Sequence, residues 1–115
     1  MSDLNQLRMR IRQFAEARDW DKYHAPKNLA MALIVEAAEL VEHFQWLTEA
    51  QSQTLAPDKL FQVGEELADI QIYLIRIADQ LNVDLLDAVD KKILANAEKY
   101  PVEKARGNAK KYNEF

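Results

Sequence analysis

Glu36 and Glu39 stand where an apolar stripe ought to continue. They sit in Val-Glu-Ala-Ala-Glu-Leu-Val-Glu-His-Phe (35–44), directly after seven apolar residues, Leu29 to Val35. On a helical wheel both carboxylates fall among Leu29, Leu33 and Leu40, with His43 beside them. Gly-Glu-Glu-Leu-Ala-Asp (64–69) repeats the arrangement: Glu66 and Asp69 are three apart, and Tyr73 lies one turn further on. Isolated charges in a core cost on the order of several kcal/mol each. Four carboxylates held together must either take up protons or surround a multivalent cation. Oxygen-only ligands select hard ions such as Mg²⁺, with Mn²⁺ as a substitute. Mg²⁺ takes phosphate oxygens as further ligands, which is the chemistry of nucleotide and phosphate substrates. One Glu-x-x-Glu on a helix is ordinarily solvent-facing. Two such motifs, Glu36/Glu39 and Glu66/Asp69, inside apolar stripes of consecutive helices are rarer, and their spacing leaves metal binding and solvated carboxylates as the two readings. Glu42 and Glu65 fall off the stripe and read as salt-bridging or solvated.

The elements that must position these groups are helical. Only two glycines and three prolines occur in 115 residues, and Ala, Leu, Glu, Lys and Gln are common. Ser2 or Asp3 caps a first helix, about 3–18, with Leu4, Leu7, Ile11 and Phe14 on one stripe and Arg8, Arg12 and Arg18 on or near the solvent side. Asp19 to Asn28 is a loop with a turn, rich in Trp20, Tyr23 and His24. Pro26 suits the first turn of a second helix, about 27–47. Thr48 and Gln51 form a capping-box pattern for one extra turn. Pro57 opens a third helix, about 57–81. Asn82 or Asp84 caps a fourth, about 84–99, which Pro101 stops. Four main helices with short connections imply an all-α, four-helix bundle in one domain, 1–115. The polar, basic tail, 102–115, is expected to be partly disordered without a ligand.

The third helix carries apolar residues on two sides. Glu66, Ile70 and Ile77 share one face, and Phe61, Ala68, Ile72 and Ile75 share the opposite one. A helix that is apolar nearly all round is buried nearly all round. In so short a chain a partner subunit is the expected cover, so a dimer or larger homo-oligomer is anticipated.

Composition narrows the function. The net charge is −4, with no long run of one sign, which argues against a nucleic-acid polymer as partner. The absence of cysteine excludes disulfides and thiolate metal sites. No apolar run approaches the roughly 20 residues that span a bilayer. Arginines interrupt the first apolar segment, so no signal peptide is expected and a cytoplasmic protein is the default.

The order Trp20…His24-Ala-Pro-Lys-Asn28, Glu36-Ala-Ala-Glu39-Leu, Phe44-Gln-Trp46, Glu65-Glu66-Leu-Ala-Asp69 and Tyr73 resembles the MazG-type nucleotide pyrophosphohydrolases. More narrowly it is similar to their dCTP-pyrophosphatase-like branch. The resemblance runs from about Arg18 to Lys110-Lys111-Tyr112. It implies an all-α fold in which a four-helix bundle forms across a dimer, often a dimer of dimers. It implies Mg²⁺-dependent hydrolysis of a nucleoside triphosphate to the monophosphate and pyrophosphate, in the service of nucleotide-pool house-cleaning. It places the metal on Glu36, Glu39, Glu66 and Asp69. Two positions depart from the pattern. Val35 stands where many members carry a second Glu, and Ile11 falls near a position where the dCTP-type branch has His. The second departure argues against strict cytosine selectivity.

On this reading Glu39 or Glu36 activates a water for in-line attack on the α-phosphorus. Lys92 and Asn96, one turn apart on the last long helix, receive pyrophosphate; as spacing alone they are a solvated helix face. Lys110, Lys111 and Tyr112 either fold over the phosphates or form a loose basic end. Trp20, His24 and Trp46 are candidates to hold the base, against a plainer role in packing, with Trp46 anchoring the end of the second helix. Tyr73 either contacts the sugar or phosphate or is a buried tyrosine. His43 reads as structural, and Lys27 and Asn28 either begin the second helix or reach the substrate. A non-enzymatic helical dimerisation module would explain the two-faced helices but not the carboxylates within them. A phosphoribosyl-ATP pyrophosphohydrolase would share the fold but fits the Trp-rich pocket poorly.

Overall fold

In the computed structural model, residues 3–115 are described. They form six α-helices: α1 (Leu4–Ala17), α2 (Pro26–Glu42), α3 (Glu49–Ser52), α4 (Pro57–Gln80), α5 (Leu85–Lys99) and α6 (Val102–Ala105). No strand occurs among the described residues, so the all-α expectation holds. The chain divides into two compact units, one ending at Asn82 and the other Val83–Phe115.

Local chemistry sets the helix ends. Asp3 accepts from the Gln6 backbone N–H at 2.8 Å, and the Gln6 side chain accepts from the Asp3 N–H at 2.9 Å. Caps of this kind contribute about 1 kcal/mol each. Ser2, the other candidate cap, lies outside the described residues. Thr48 and Gln51 form the anticipated capping box on α3. Pro26 and Pro57 occupy first-turn positions of α2 and α4, where their missing N–H costs nothing.

One boundary differs from expectation. α2 ends at Glu42 rather than near 47. The backbone N–H groups of His43 and Phe44 bond three residues back, to Leu40 and Val41, which tightens the chain into turns. Trp46 therefore leaves the helix. It is 87% exposed and does not anchor the helix in the core.

In the first unit α2 packs along α4, and α1 also packs on α4. Cross-helix contacts fix the direction. His43, just past the end of α2, meets Lys59 in the first turn of α4, with Nδ1 and Nζ 3.3 Å apart. His24, just before α2, meets Arg76 and Gln80 near the end of α4. The two helices are therefore antiparallel. Their shared seam runs from Lys59 through Val63, Glu66, Ile70 and Tyr73 to Ile77, a three–four spacing that presents one face of α4.

The core is small: Ala15, Leu29, Val63, Ile75 and Ala78 are buried. The second apolar face of α4 divides. Ile75 is covered, whereas Phe61 and Ile72 are exposed. On α2, Met31, Ile34, Val35 and Val41 form an exposed stripe that faces away from the seam.

In the second unit Asp84, not Asn82, caps α5 by accepting from the Asp87 N–H at 3.1 Å. Asn82 instead takes a left-handed turn conformation, φ 55°. After α6 the chain turns at Gly107, whose φ of 77° suits a residue without Cβ. It ends in a 3₁₀ turn, Tyr112–Glu114. The Tyr112 and Phe115 rings pack edge-on against Tyr100, at 6.2 and 5.9 Å. The tail thus has local structure of its own.

Candidate active site

Three of the four predicted carboxylates converge. Each of Glu36, Glu39 and Glu66 offers an oxygen within 4.8 Å of the others, and all three side chains are half-buried. The antiparallel seam produces this: Glu36 and Glu39 come from the middle of α2, and Glu66 faces them from α4. Asp69 lies one turn along α4, is more exposed, and stands outside that tight group.

The electrostatics register the crowding. The Glu36 carboxyl is held above the usual carboxylate range, first because its protonated form hydrogen-bonds Glu66, then because burial disfavours its charge. A hydrogen bond with Glu39 works the other way, and the charges of Asp69 and Glu66 add repulsion. Glu66 Oε2 is fully buried and has no hydrogen-bond partner. Such an atom carries a desolvation penalty of about 1–3 kcal/mol or more. An orphaned carboxylate oxygen beside two further carboxylates is the donor set that a hard divalent cation satisfies. The residues present therefore fit a metal.

The remaining predicted residues fall in two places. In the first unit, Trp20 and His24 are neighbours, with ring centroids 6.0 Å apart, and Trp20 also meets Phe14 edge-on at 5.7 Å. Tyr73 is half-buried on the carboxylate seam, and Trp46 is open to solvent. The Asn28 side chain donates to the Tyr23 carbonyl at 3.3 Å, and Lys27 is exposed. In the second unit, Lys92 and Asn96 are exposed on α5, Lys110 and Lys111 are exposed in the tail, and Tyr112 lies under Lys99.

A second charged cluster was not anticipated. Arg76 is only 3% exposed. It donates to His24 Nδ1 at 3.1 Å, to Asp79 at 3.4 Å and to Asp21. Asp79, its side chain 4% exposed, accepts a bidentate pair from Arg12 at 2.9 and 2.5 Å and lies 3.6 Å from Arg8. Arg8 and Arg12 therefore turn toward α4 rather than toward solvent. The available signal was a lone Arg within the apolar run Tyr-Leu-Ile-Arg-Ile-Ala (73–78), with Asp three residues later.

The profile of the MazG-like family matches residues 31–115. The chain belongs to the MazG-like family. It is 41% identical over 114 residues to dCTP pyrophosphatase 1 of Rattus norvegicus, covering 97% of this chain and 67% of that one. It is 40% identical, over 97% of this chain and 67% of the relative, to dCTP pyrophosphatase 1 of Homo sapiens. Among solved structures, a pyrophosphatase from Archaeoglobus fulgidus superposes with a TM-score of 0.70 at 37% identity, covering 88% of this chain and 94% of that one. The sequence reading of a MazG-type nucleoside triphosphate pyrophosphohydrolase on the dCTP-pyrophosphatase-like branch is borne out.

Proposed function

We propose that this chain hydrolyses deoxynucleoside triphosphates, dCTP-like ones among them, to the monophosphate and pyrophosphate with Mg²⁺ as cofactor. The observation that carries this reading is the buried, unpartnered Glu66 Oε2 facing Glu36 and Glu39. Glu36, Glu39, Glu66 and Asp69 hold the ion. When bound, it supplies charge neutralisation on the phosphoryl oxygens and a more acidic water. Mn²⁺ is the expected substitute.

The chain's own residues do the rest. Glu39, or Glu36 in its place, accepts the proton of the attacking water as the new oxygen–phosphorus bond forms. The bond from the α-phosphorus to the bridging oxygen breaks, and pyrophosphate leaves with that electron pair. Trp20 and His24 hold the base, with stacking at roughly 1–3 kcal/mol per ring; Trp46, past the opposite end of α2, lies too far along the helix to meet the same base within one protomer. Tyr73 packs under the sugar, where a 2′-hydroxyl is disfavoured.

The exposed apolar stripes of α2 and α4 support a homodimer or a dimer of dimers as the working form. Among the described residues no helix is long and apolar enough to cross a membrane. We place the activity in the cytoplasm, on surplus or non-canonical nucleotides.

The deciding experiment incubates the purified protein with each dNTP, with and without Mg²⁺. Production of dNMP and pyrophosphate only with the ion is the expected result. No turnover of any canonical or modified nucleotide would overturn the assignment and favour a non-enzymatic dimerisation module.

A further inference from the structure

His24 sits at the junction of the Trp20 loop, α2 and α4, and Arg76 decides its chemistry. A guanidinium N–H can only donate. Because Arg76 Nε points at His24 Nδ1 at 3.1 Å, that ring nitrogen must be the acceptor. A neutral imidazole carries one proton, so the proton belongs on Nε2. Nε2 has no partner among the described residues, and the buried orphan polar atoms there are Arg8 Nε and Glu66 Oε2. Nε2–H is therefore not sealed from solvent, and its ring lies beside that of Trp20.

The surroundings hold Arg76 in that orientation. Its other nitrogens are taken by Asp21 from the loop and Asp79 one turn along α4. Asp79 is itself fixed by Arg12 and Arg8 of α1. The Gln80 side chain donates to the His24 carbonyl at 2.9 Å, which pins the backbone. The groups facing His24 from every packed element are thus Arg76 and Gln80 of α4, Asp21 and Trp20 of the loop, and Arg8, Arg12 and Asp79 through Arg76.

We propose that Arg76 is a positioning residue that locks His24 in the Nε2–H tautomer, so that the wall beside Trp20 presents a hydrogen-bond donor and favours a nucleobase edge with an acceptor at that point. This rests on the nucleotide reading above for its ligand, but not for its tautomer. The buried Arg76 explains why the donor is constant. Without it, the ring could offer either a donor or an acceptor, and discrimination between base edges would fall.

The test has two arms. The first uses ¹⁵N NMR of the imidazoles in the intact apo protein. Only two histidines occur, so a His43→Gln variant assigns His24 directly. The expected spectrum shows a protonated Nε2 and an unprotonated Nδ1 at pH 7. In Arg76→Met the two tautomers should mix. Asp21→Asn keeps the Asp79 pairing, and in this variant a partial mixing is expected even if Arg76→Met fails to fold. An Nδ1–H tautomer in the wild type overturns the proposal whatever the substrate is. The second arm measures KM and kcat for dNTPs and for analogues lacking a base acceptor. His24→Gln should keep discrimination, because its amide N–H₂ replaces Nε2–H, whereas His24→Ala should lose roughly tenfold in kcat/KM discrimination between acceptor-bearing and acceptor-lacking bases. Equal discrimination in both variants overturns the role in base selection. Absence of any turnover in the wild type, with the Nε2–H tautomer intact, would fault the nucleotide reading and spare the tautomer assignment.

Discussion

Two charged clusters lie on the same pair of helices and are built on opposite principles. At one end of the α2–α4 seam, Arg76, Asp79, Arg12, Asp21 and His24 match donors to acceptors and cations to anions. In the middle, Glu36, Glu39 and Glu66 bring like charges together and leave a buried oxygen unpartnered. The first cluster stabilises the fold as it stands. The second costs stability until a cation enters, and that asymmetry separates structure from function here. Arg8 Nε, also buried and unpartnered, shows that the matched cluster is not perfectly so.

The largest expected contrast is in activity. Glu39→Gln and Asp69→Asn should each lower turnover at least ~100-fold by removing oxygen that holds the ion and, for Glu39, takes the proton. Circular dichroism should show the fold intact. Near-full activity in either variant would refute the ligand assignment, and Asp69, being outside the tight group, is the more exacting case. In the matched cluster, Arg76→Met should instead cost about 3 kcal/mol of stability, because it strands Asp79 and leaves His24 without its donor. Chemical denaturation reads this directly; a loss well under 1 kcal/mol would mean the cluster is not a matched network.

The next contrast is the sign of a stability change. In EDTA, Glu66→Gln should raise the melting temperature, since it removes a buried, repelled charge. Mg²⁺ should stabilise the wild type, and so raise its melting temperature, by a free energy that grows with concentration to about 2.7 kcal/mol at one hundred times Kd, and should do much less for the variant. A wild type indifferent to Mg²⁺ would remove the basis for the metal site.

The carboxylate cluster was legible because helical periodicity alone places Glu36, Glu39 and Glu66 on apolar stripes, and the antiparallel pairing then brings the stripes together. Helix boundaries set by Asp3, Pro26, Thr48, Pro57 and Asp84 were equally local and equally readable. The end of α2 was not, because the sequence from His43 to Leu47 continues a helical pattern while the chain turns. The matched cluster was hidden for another reason. Arg12, Asp21, Arg76 and Asp79 are spread over nearly 70 residues, and each alone looks like an ordinary surface charge. Only the packing of α1 and the Trp20 loop on α4 makes them partners. Like charges on one helix announce themselves in sequence; opposite charges on different helices do not.

The smallest effect expected is in the pH dependence of the apo protein, and it distinguishes two members of the matched cluster. Asp79 is held below the usual carboxylate range by its hydrogen bond and charge pairing with Arg12. Its contribution is present above pH 3.8 and is lost as the pH falls through its depressed folded value. His24 is held below 6.5 by burial and by the charge of Arg76, against a smaller opposing pull from Asp21. The unfolded chain therefore binds the His24 proton first. Stability from His24 is present above pH 6.5 and declines as the pH drops below that value. Melting temperature measured from pH 7 toward pH 3 should thus fall in two stages, a slight one beginning near 6.5 and a steeper one below 3.8. His24→Gln should erase the first stage and keep the second. If that variant retained the shallow decline unchanged, the coupling between Arg76 and His24 would have no thermodynamic weight.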